Sequence, residues 1–411
     1  MSSRPDTLPS WLGNLLDKDH RTWASAFALL ILLGAVVFWA GISGSNSQRT
    51  WQVFLINFLF WTGLSFGAVL FGAILNMTNA QWARPFKRVA EAPAMFLPFS
   101  LGFFALLYLG REEFFHWIHE PVHGKEWWLQ VNALFARDGL ALLLLTLVSL
   151  AMVYCSIKSD VEMKKEGAEA SGAAKASRYW KIQVFLSPVY GILYAVVLTL
   201  IAIDLIMALD AHWVSTLFGA YYFMGSFYTA LAFLFFVLIV VMRREPFKTH
   251  VHSKHMHDMG KLLLGFCLVT GDFFYSQFLV IWYGNLPEET RYVILRVQQT
   301  PWKMVAWIVL AVCFVIPFLT LLNRRIKMKP FPMLCLTGFI LVGMWLERLL
   351  LVAPSLWQGG SLPLGFQEVA ITLGFAGLMA LCLMFFLRAF PPLPLSDPLF
   401  QRYLEKQKAQ E

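Results

Sequence analysis

Nine histidines stand in this chain of 411 residues, and none falls within its long apolar runs, so the axial ligands by which membrane subunits hold a buried b-type haem are missing. The five cysteines, Cys155, Cys267, Cys313, Cys335 and Cys382, lie in or at the ends of apolar runs without a C-x-x-C or C-x-x-C-H pattern. That argues against disulfides, zinc, iron–sulfur clusters and c-type haem. Charge is scarce as well, at 14% of residues. With 58% hydrophobic residues and a mean hydropathy of +0.61, the chain carries more apolar surface than one soluble core buries, which makes lipid its solvent. The formal charge of +8 then reflects the orientation of loops and not nucleic-acid binding. Low-complexity sequence is confined to Glu162 to Ala176, rich in Lys, Glu, Ala and Gly, read as a flexible link between membrane spans.

What is abundant is apolar sequence of bilayer-crossing length. Ten runs can be read, at Trp23 to Ile42, Val53 to Leu75, Met95 to Leu109, Leu134 to Tyr154, Val184 to Leu209, Val214 to Met242, Lys261 to Tyr283, Trp302 to Leu322, Met333 to Leu351 and Val369 to Leu387. The first run follows a polar head and has no small-residue cleavage pattern after it, so it is expected to be retained and not removed as a signal. Of the 33 Lys and Arg, only Arg49, Arg111, Lys125, Arg137, Arg291, Arg296, Lys303 and Arg348 fall on the second side of an alternating topology. The positive-inside rule therefore puts both termini in the cytoplasm.

A weak internal echo organises the runs. Arg84-Pro-Phe-Lys-Arg88 follows the second and Arg244-Glu-Pro-Phe-Lys248 the sixth, four crossings apart. The expected architecture is an all-α polytopic membrane protein of about ten transmembrane helices, arranged as two four-helix bundles plus two flanking helices. It divides into a cytoplasmic N-terminal segment (1–22), a first flanking helix (23–42), a first bundle (53–209), a second bundle (214–351), a last flanking helix (369–387) and a cytoplasmic tail (388–411).

Acids inside the runs point to chemistry, because an ionised side chain in hydrocarbon costs about 2.5–3.5 kcal/mol even on the lenient insertion scale. Asp204 lies on the order of 8 Å below the outer surface at 1.5 Å per residue, and Asp138 lies at comparable depth beside Arg137. Two carboxyls approaching one another near that surface suit the hydrogen bonding and deprotonation of quinol hydroxyls, which makes them the candidate catalytic groups. The plainer readings are an ion pair of Asp138 with Arg137 or Arg111, and a helix-to-helix hydrogen bond for Asp204. Asp272, midway through the seventh run with Tyr275, Ser276 and Gln277 nearby, reads as a proton relay, with Glu347 approaching the outer side beside Arg348. Asp210 and His212 form an outer turn that serves either as proton exit or as a helix cap with Trp213 as anchor. His250, His252, His255 and His257 form a loop able to collect protons on the inner side, with His252 as the start of that path. His116, His119 and His123 have a spacing that one helix face presents, ended by Pro121; a partner-docking or quinone-access surface is favoured over a metal there. Gly271 beside Asp272 is the one hint of a broken helix, as in secondary transporters.

Several segments resemble the NrfD or polysulfide-reductase membrane-subunit family, and within it the ActF-type subunits of bacterial alternative complex III. They are Trp82-Ala-Arg-Pro-Phe-Lys-Arg-Val-Ala-Glu91, Phe96-Leu-Pro98, Leu107-Tyr-Leu-Gly-Arg-Glu-Glu113, Arg137-Asp138, and Asp204 through Trp213-Val-Ser-Thr-Leu-Phe-Gly-Ala-Tyr221. The resemblance spans most of the chain. It implies two four-helix bundles, no haem or metal in this subunit, and assembly with an iron–sulfur subunit, cytochrome c subunits, a homologous ten-helix membrane subunit and, in some assemblies, a terminal oxidase. It also implies a quinol site that in the family belongs to the homologous subunit, lined by a histidine and acids. The matching residues here are Asp138 and Asp204, with Glu112, His116 and Arg137 as quinone-binding neighbours.

The chain thus reads as a subunit of a quinol:cytochrome c oxidoreductase in the bacterial inner membrane, not catalytic alone, contributing quinone binding, proton transfer or both. The alternative is a non-catalytic anchor and proton-conducting subunit without its own quinone site.

Overall fold

The structure, a computed structural model, describes residues 20–44, 47–120, 122–165, 170–357 and 359–409. Pro121 and nearly all of the segment 1–22 lie outside the described residues. Among the described residues ten helices are long and apolar enough to cross a bilayer: α1 His20–Ile42, α2 Ser47–Met77, α3 Arg84–Phe114, α4 Val131–Met163, α5 Ala176–Leu209, α6 Phe218–Val241, α7 Ser253–Gly284, α8 Trp302–Leu322, α9 Pro330–Leu356 and α10 Phe366–Ala389. Among the described residues there is no strand, as a membrane core demands of any backbone that must satisfy its own hydrogen bonds.

The helices outrun the apolar sequence at several ends. The Lys- and Ala-rich stretch read as a flexible link is helical up to Lys165 and again from Ala170, consistent with the high helix propensity of Lys, Glu and Ala; residues 166–169 lie outside the described part. α7 begins at Ser253, where the His255 imidazole accepts the backbone N–H of His252 at 3.0 Å, so His255 and His257 belong to its first turns.

Packing closes two rings of four. α2, α3, α4 and α5 pack each on the next and back to α2; α6, α7, α8 and α9 do the same, and α2 joins the rings by packing on α6 and α9. α10 lies against α1 and α2. In lipid there is little hydrophobic drive between helices, so close approach and interhelical hydrogen bonds hold them. A Cβ on Gly34 would stand 2.8 Å from Gly374 Cα, so α1 and α10 meet backbone to backbone only because both are glycine. α2 is the hub, with 89% of its most apolar stretch buried, against 17% for α7 and for α8. Asn57 on α2 donates to Thr372 at 3.0 Å and accepts from Trp345 at 3.2 Å, and the α2 carbonyls at Leu59 and Phe66 take the Tyr222 and Tyr190 hydroxyls. Each such bond contributes about 0.6 kcal/mol.

The two rings differ where the echoed motifs stand. Phe86 and Phe247 are both buried, but Arg84, Lys87 and Arg88 are buried too, whereas Lys248 is exposed. Arg84 pairs with Asp397 at 2.8 Å, Lys87 with Asp397 at 3.2 Å, and Arg88 with both Glu91 and Asp160. Ser396 closes the cluster onto Asp160 Oδ1 through its N–H at 2.7 Å and its hydroxyl at 2.5 Å. The segment after α10 is thereby stapled to the start of α3 and the end of α4. This end of the molecule, which carries the Lys- and Arg-rich loops, is the basic face.

Candidate functional site

Near the opposite face, the first ring holds Asp138 on α4 and Asp204 on α5, both fully buried. Asp204 Oδ2 accepts from Arg137 Nε at 2.6 Å and Oδ1 from the Trp128 indole at 2.8 Å. The Arg137 guanidinium lies over the Trp128 ring, 3.8 Å from its centroid, and donates to the Trp128 carbonyl at 3.1 Å. The arginine adjacent to Asp138 in sequence therefore serves Asp204, because successive helical residues point about a quarter-turn apart. Asp138 lies against the Asp204 carboxyl, yet neither of its oxygens meets a donor among the described residues. Two carboxyls in contact with one donor set between them repel unless a proton bridges them.

The second ring holds a cavity of about 470 Å³ in its half away from the basic face, inside the roughly 300–1,000 Å³ range of small-molecule sites. α6, α7, α8 and α9 form its walls, and the amphipathic helix Pro287–Val297 roofs it. The lining is overwhelmingly apolar, but it includes Glu347, Tyr221, Tyr292, Thr270 and Arg296. Glu347 Oε2 accepts from Arg348 at 2.7 Å, and Arg348 reaches on to Ser226 at 3.1 Å and lies over the Tyr222 ring. Glu347 Oε1, the Tyr292 hydroxyl and the Thr270 hydroxyl have no hydrogen-bond partner among the described residues; the Tyr221 phenol approaches the carboxylate without the geometry of a completed bond.

The roof is built by one proline. Pro354 inside α9 has no N–H, so the carbonyl four residues earlier, Leu350, has no helical donor. Arg296 Nε donates to it at 3.0 Å, while the rest of the guanidinium reaches the Leu351 carbonyl at 2.9 Å, Ser355 Oγ at 2.8 Å and the Tyr292 carbonyl at 3.0 Å. Arg296 covers one face of Tyr292 at 3.3 Å and Trp213 stacks on the other at 3.6 Å, with ring planes 4° apart. Burial pushes the Tyr292 phenol up to about 12 and pulls the Arg296 guanidinium down. On the far wall, α8 makes a π-helical turn at Ala311–Val315, whose Cys313 carbonyl accepts from Tyr228 at 3.1 Å. Gly271 lets Phe314 of that turn pack against α7, since a Cβ there would meet the ring at 2.4 Å. α7 itself runs unbroken past Gly271.

The structure gathers Arg137, Asp138 and Asp204, and it brings Glu347 and Tyr275 to the cavity wall. Glu112 and His116 are exposed and bond to neither acid; Glu112 stands 3.7 Å from Arg111. His212 is exposed, and Asp210 lies near the Tyr292–Arg296 roof. Trp213 is not an interfacial anchor but is buried in the roof stack. Asp272 is exposed on the outside of α7 and does not meet Tyr275, Ser276 or Gln277. His252 Nε2 meets the Gln407 amide at 3.1 Å, at the basic face. Among the described residues no three His, Cys, Asp or Glu side chains gather as a metal-binding group.

Sequence reading missed Tyr292, Arg296, Tyr221 and Thr270. One signal was present: Tyr292 and Arg296 are four apart on an amphipathic helix, and Pro354 marks an unclaimed carbonyl.

Compared with known families, residues 41–358 match the model described as "Polysulphide reductase, NrfD". None of the curated proteins matches the chain.

Proposed function

The chain belongs to the NrfD polysulphide reductase family, the membrane subunits of quinone-linked oxidoreductase complexes, and from that premise we propose that it binds the quinone ring itself, in the cavity of the second ring. The observation that carries this reading is the set of three unpartnered polar atoms, Glu347 Oε1, Tyr292 OH and Thr270 Oγ1, on the wall of an otherwise apolar cavity. A buried polar group without a partner costs about 1–3 kcal/mol, which a ligand carrying hydroxyl or carbonyl groups on a flat apolar ring relieves.

In the quinol direction, one hydroxyl donates to Glu347 Oε1, and the carboxylate takes its proton. Arg348, bonded to the other oxygen, holds the group in place. Loss of two electrons and two protons turns quinol to quinone; Glu347 takes the protons in turn, releasing the first toward the face away from the basic one before taking the second, and the electrons pass to a redox centre of a partner, an iron–sulfur cluster or a haem. Thr270 and Tyr292 orient the second oxygen. The Asp138–Asp204 pair, in the first ring near the same face, serves as a proton-accepting group. The assembly we propose is a quinol:cytochrome c oxidoreductase in a bacterial inner membrane, with the basic face cytoplasmic. Its other parts are a homologous ten-helix subunit, an iron–sulfur subunit and cytochrome c subunits.

The test uses the purified complex, with Glu347→Gln and a photoreactive azidoquinone. Turnover is expected to fall on the order of 10²-fold, as for loss of a positioned base, and the label to fall on α7 and the helix Pro287–Val297. Normal turnover in Glu347→Gln with label on α4 and α5 would return the site to Asp138 and Asp204. Normal turnover with no label on this chain would leave it an anchor and proton conductor.

A further inference from the structure

Asp272 occupies the middle of α7, roughly 16 Å along the helix from Lys261 and roughly 18 Å from Gly284 at 1.5 Å per residue. A two-carbon acidic side chain cannot reach either interface from there. Its helical neighbours on the outward side form a stripe, Lys261, Gly265, Leu268, Asp272 and Trp282, all exposed, with Tyr275 at its edge toward the cavity. Asp272 has no hydrogen bond or ion pair among the described residues.

Among the described residues nothing is placed to neutralise it. α6 contains no charged residue, and α8 contains only Lys303, next to its first residue. Lys261, on the same stripe, is taken by Asp258 at 3.0 Å. Facing hydrocarbon, the carboxylate costs about 2.5–3.5 kcal/mol on the lenient scale, and intramembrane acids accordingly pair with another polar group.

We infer that the outward stripe of α7 centred on Asp272 is a docking seam for a membrane helix of another subunit, one that brings a lysine or arginine to mid-membrane depth. Charge complementarity selects the occupant. A second copy of this chain related by a two-fold axis along the membrane normal would set Asp272 against its own equivalent, because such an interface is self-facing. Lipid offers no cation at that depth. Gly265, two turns from Asp272, leaves room for close approach, while Leu268 and Trp282 supply apolar contact on either side of it. The inference stands whatever occupies the cavity of the second ring.

The experiment is done in the complex purified from its own membranes. A photo-crosslinking residue at Leu268 is expected to give a product with a membrane helix of another subunit of that complex, joined within about two turns of a Lys or Arg on it. Asp272→Leu is expected to leave the amount of this chain in the membrane unchanged, since the side chain points outward, and to reduce the crosslinked subunit by roughly ten-fold or more, as loss of one buried ionic partner does. Should Asp272→Leu fail to accumulate, the crosslink in the otherwise unaltered chain still decides. Products only with lipid acyl chains, products with a second copy of this chain, or full subunit content in Asp272→Leu would each overturn the proposal.

Discussion

If Pro354 is what makes Arg296 necessary, the two residues must be energetically coupled, and the coupling has a calculable origin. Arg296→Met removes bonds to four acceptors. The carbonyls of Tyr292 and Leu351 keep their own helical donors four residues on, at Arg296 N and Ser355 N, and Ser355 Oγ can turn elsewhere. Leu350 alone is left with nothing, because its donor would be the missing N–H of Pro354. A buried carbonyl stranded in this way costs about 1–3 kcal/mol, within a total of about 3–5 kcal/mol for breaking a buried charged network. Pro354→Ala restores the donor, so Arg296→Met in that background is expected to cost about 1–3 kcal/mol less than in the wild type. Amide hydrogen exchange across residues 350–357, compared in all four members of the double-mutant cycle, reads the local opening free energy where the coupling resides. The backbone amide that Pro354→Ala introduces should be protected most strongly in the double variant, where it has no competitor for the Leu350 carbonyl. Additivity of the two single changes to within about 0.5 kcal/mol would refute the reasoning.

The remaining predictions concern titration and the carboxyl pair. Although burial opposes its ionisation, Lys87 and Arg84 hold the Asp397 carboxyl below its ordinary value. Its contribution is therefore complete above the unfolded value near 3.9 and disappears as pH falls through the depressed folded value. Asp397→Asn should lower protection of the helix Pro398–Lys408 by about 3–5 kcal/mol at neutral pH and abolish the acid step; a variant that still shows that step would count against this origin. Burial first, and His250 second, pull the His252 imidazole below its usual 6.5. The unfolded form then takes up a proton that the folded form resists, so docking of the C-terminal helix through Gln407 weakens as pH drops below about 6.5. Limited proteolysis at pH 7.5 and 5.5 should show this in the wild type and not in His252→Gln; identical profiles would dismiss it. In the first ring, Asp204→Ala strands Arg137 and should cost about 3–5 kcal/mol, whereas Asp138→Asn can donate to Asp204 and should keep thermal stability within about 0.5 kcal/mol. Reduced quinol-dependent turnover at unchanged stability in Asp138→Asn would mark a proton-handling group; a large stability loss would mark a structural one.

The ten crossings were legible because each needs only a run of apolar residues of known length. Partner choice was not. Arg137 adjoins Asp138 but serves Asp204, and the indole completing that pocket comes from Trp128, 76 residues away in sequence. Arg84, Lys87 and Arg88 counted as loop charge, yet they are buried because Asp160 and Asp397 arrive from the ends of distant helices. The facing of Asp272 was hidden for a different reason. On a helix apolar nearly all round, one acid carries no periodicity, so neither its depth nor its neighbours reveal whether it points inward. The cavity was hidden because its roof and wall depend on absences, an N–H that Pro354 lacks, which draws Arg296 in, and a side chain that Gly271 lacks, which lets Phe314 close against α7.

The acids of this chain divide by whether their oxygens are satisfied, and that division separates scaffold from chemistry. At the basic face, Asp160 receives Ser396 on one oxygen and Arg88 on the other, Asp397 receives the Leu399 N–H on one and Arg84 with Lys87 on the other, and Glu91 pairs with Arg88 and Lys87. Each carboxylate there is held by at least one cation that protonation would set against a neutral partner, and the cluster's three cations and three anions balance. Near the opposite face, Asp138 has no donor on either oxygen among the described residues, and Glu347 has one on a single oxygen. Leaving such groups unsatisfied costs stability that satisfied carboxylates do not, and a fold retains that cost where the free oxygen does something. Each free oxygen sits beside a second acid or a phenol, Asp204 for Asp138 and Tyr221 for Glu347, which is the arrangement that lets a proton arrive and leave without moving the backbone. On the function proposed above, the two rings carry separate proton-accepting groups near one face, while the charged staple at the other holds the helices that present them.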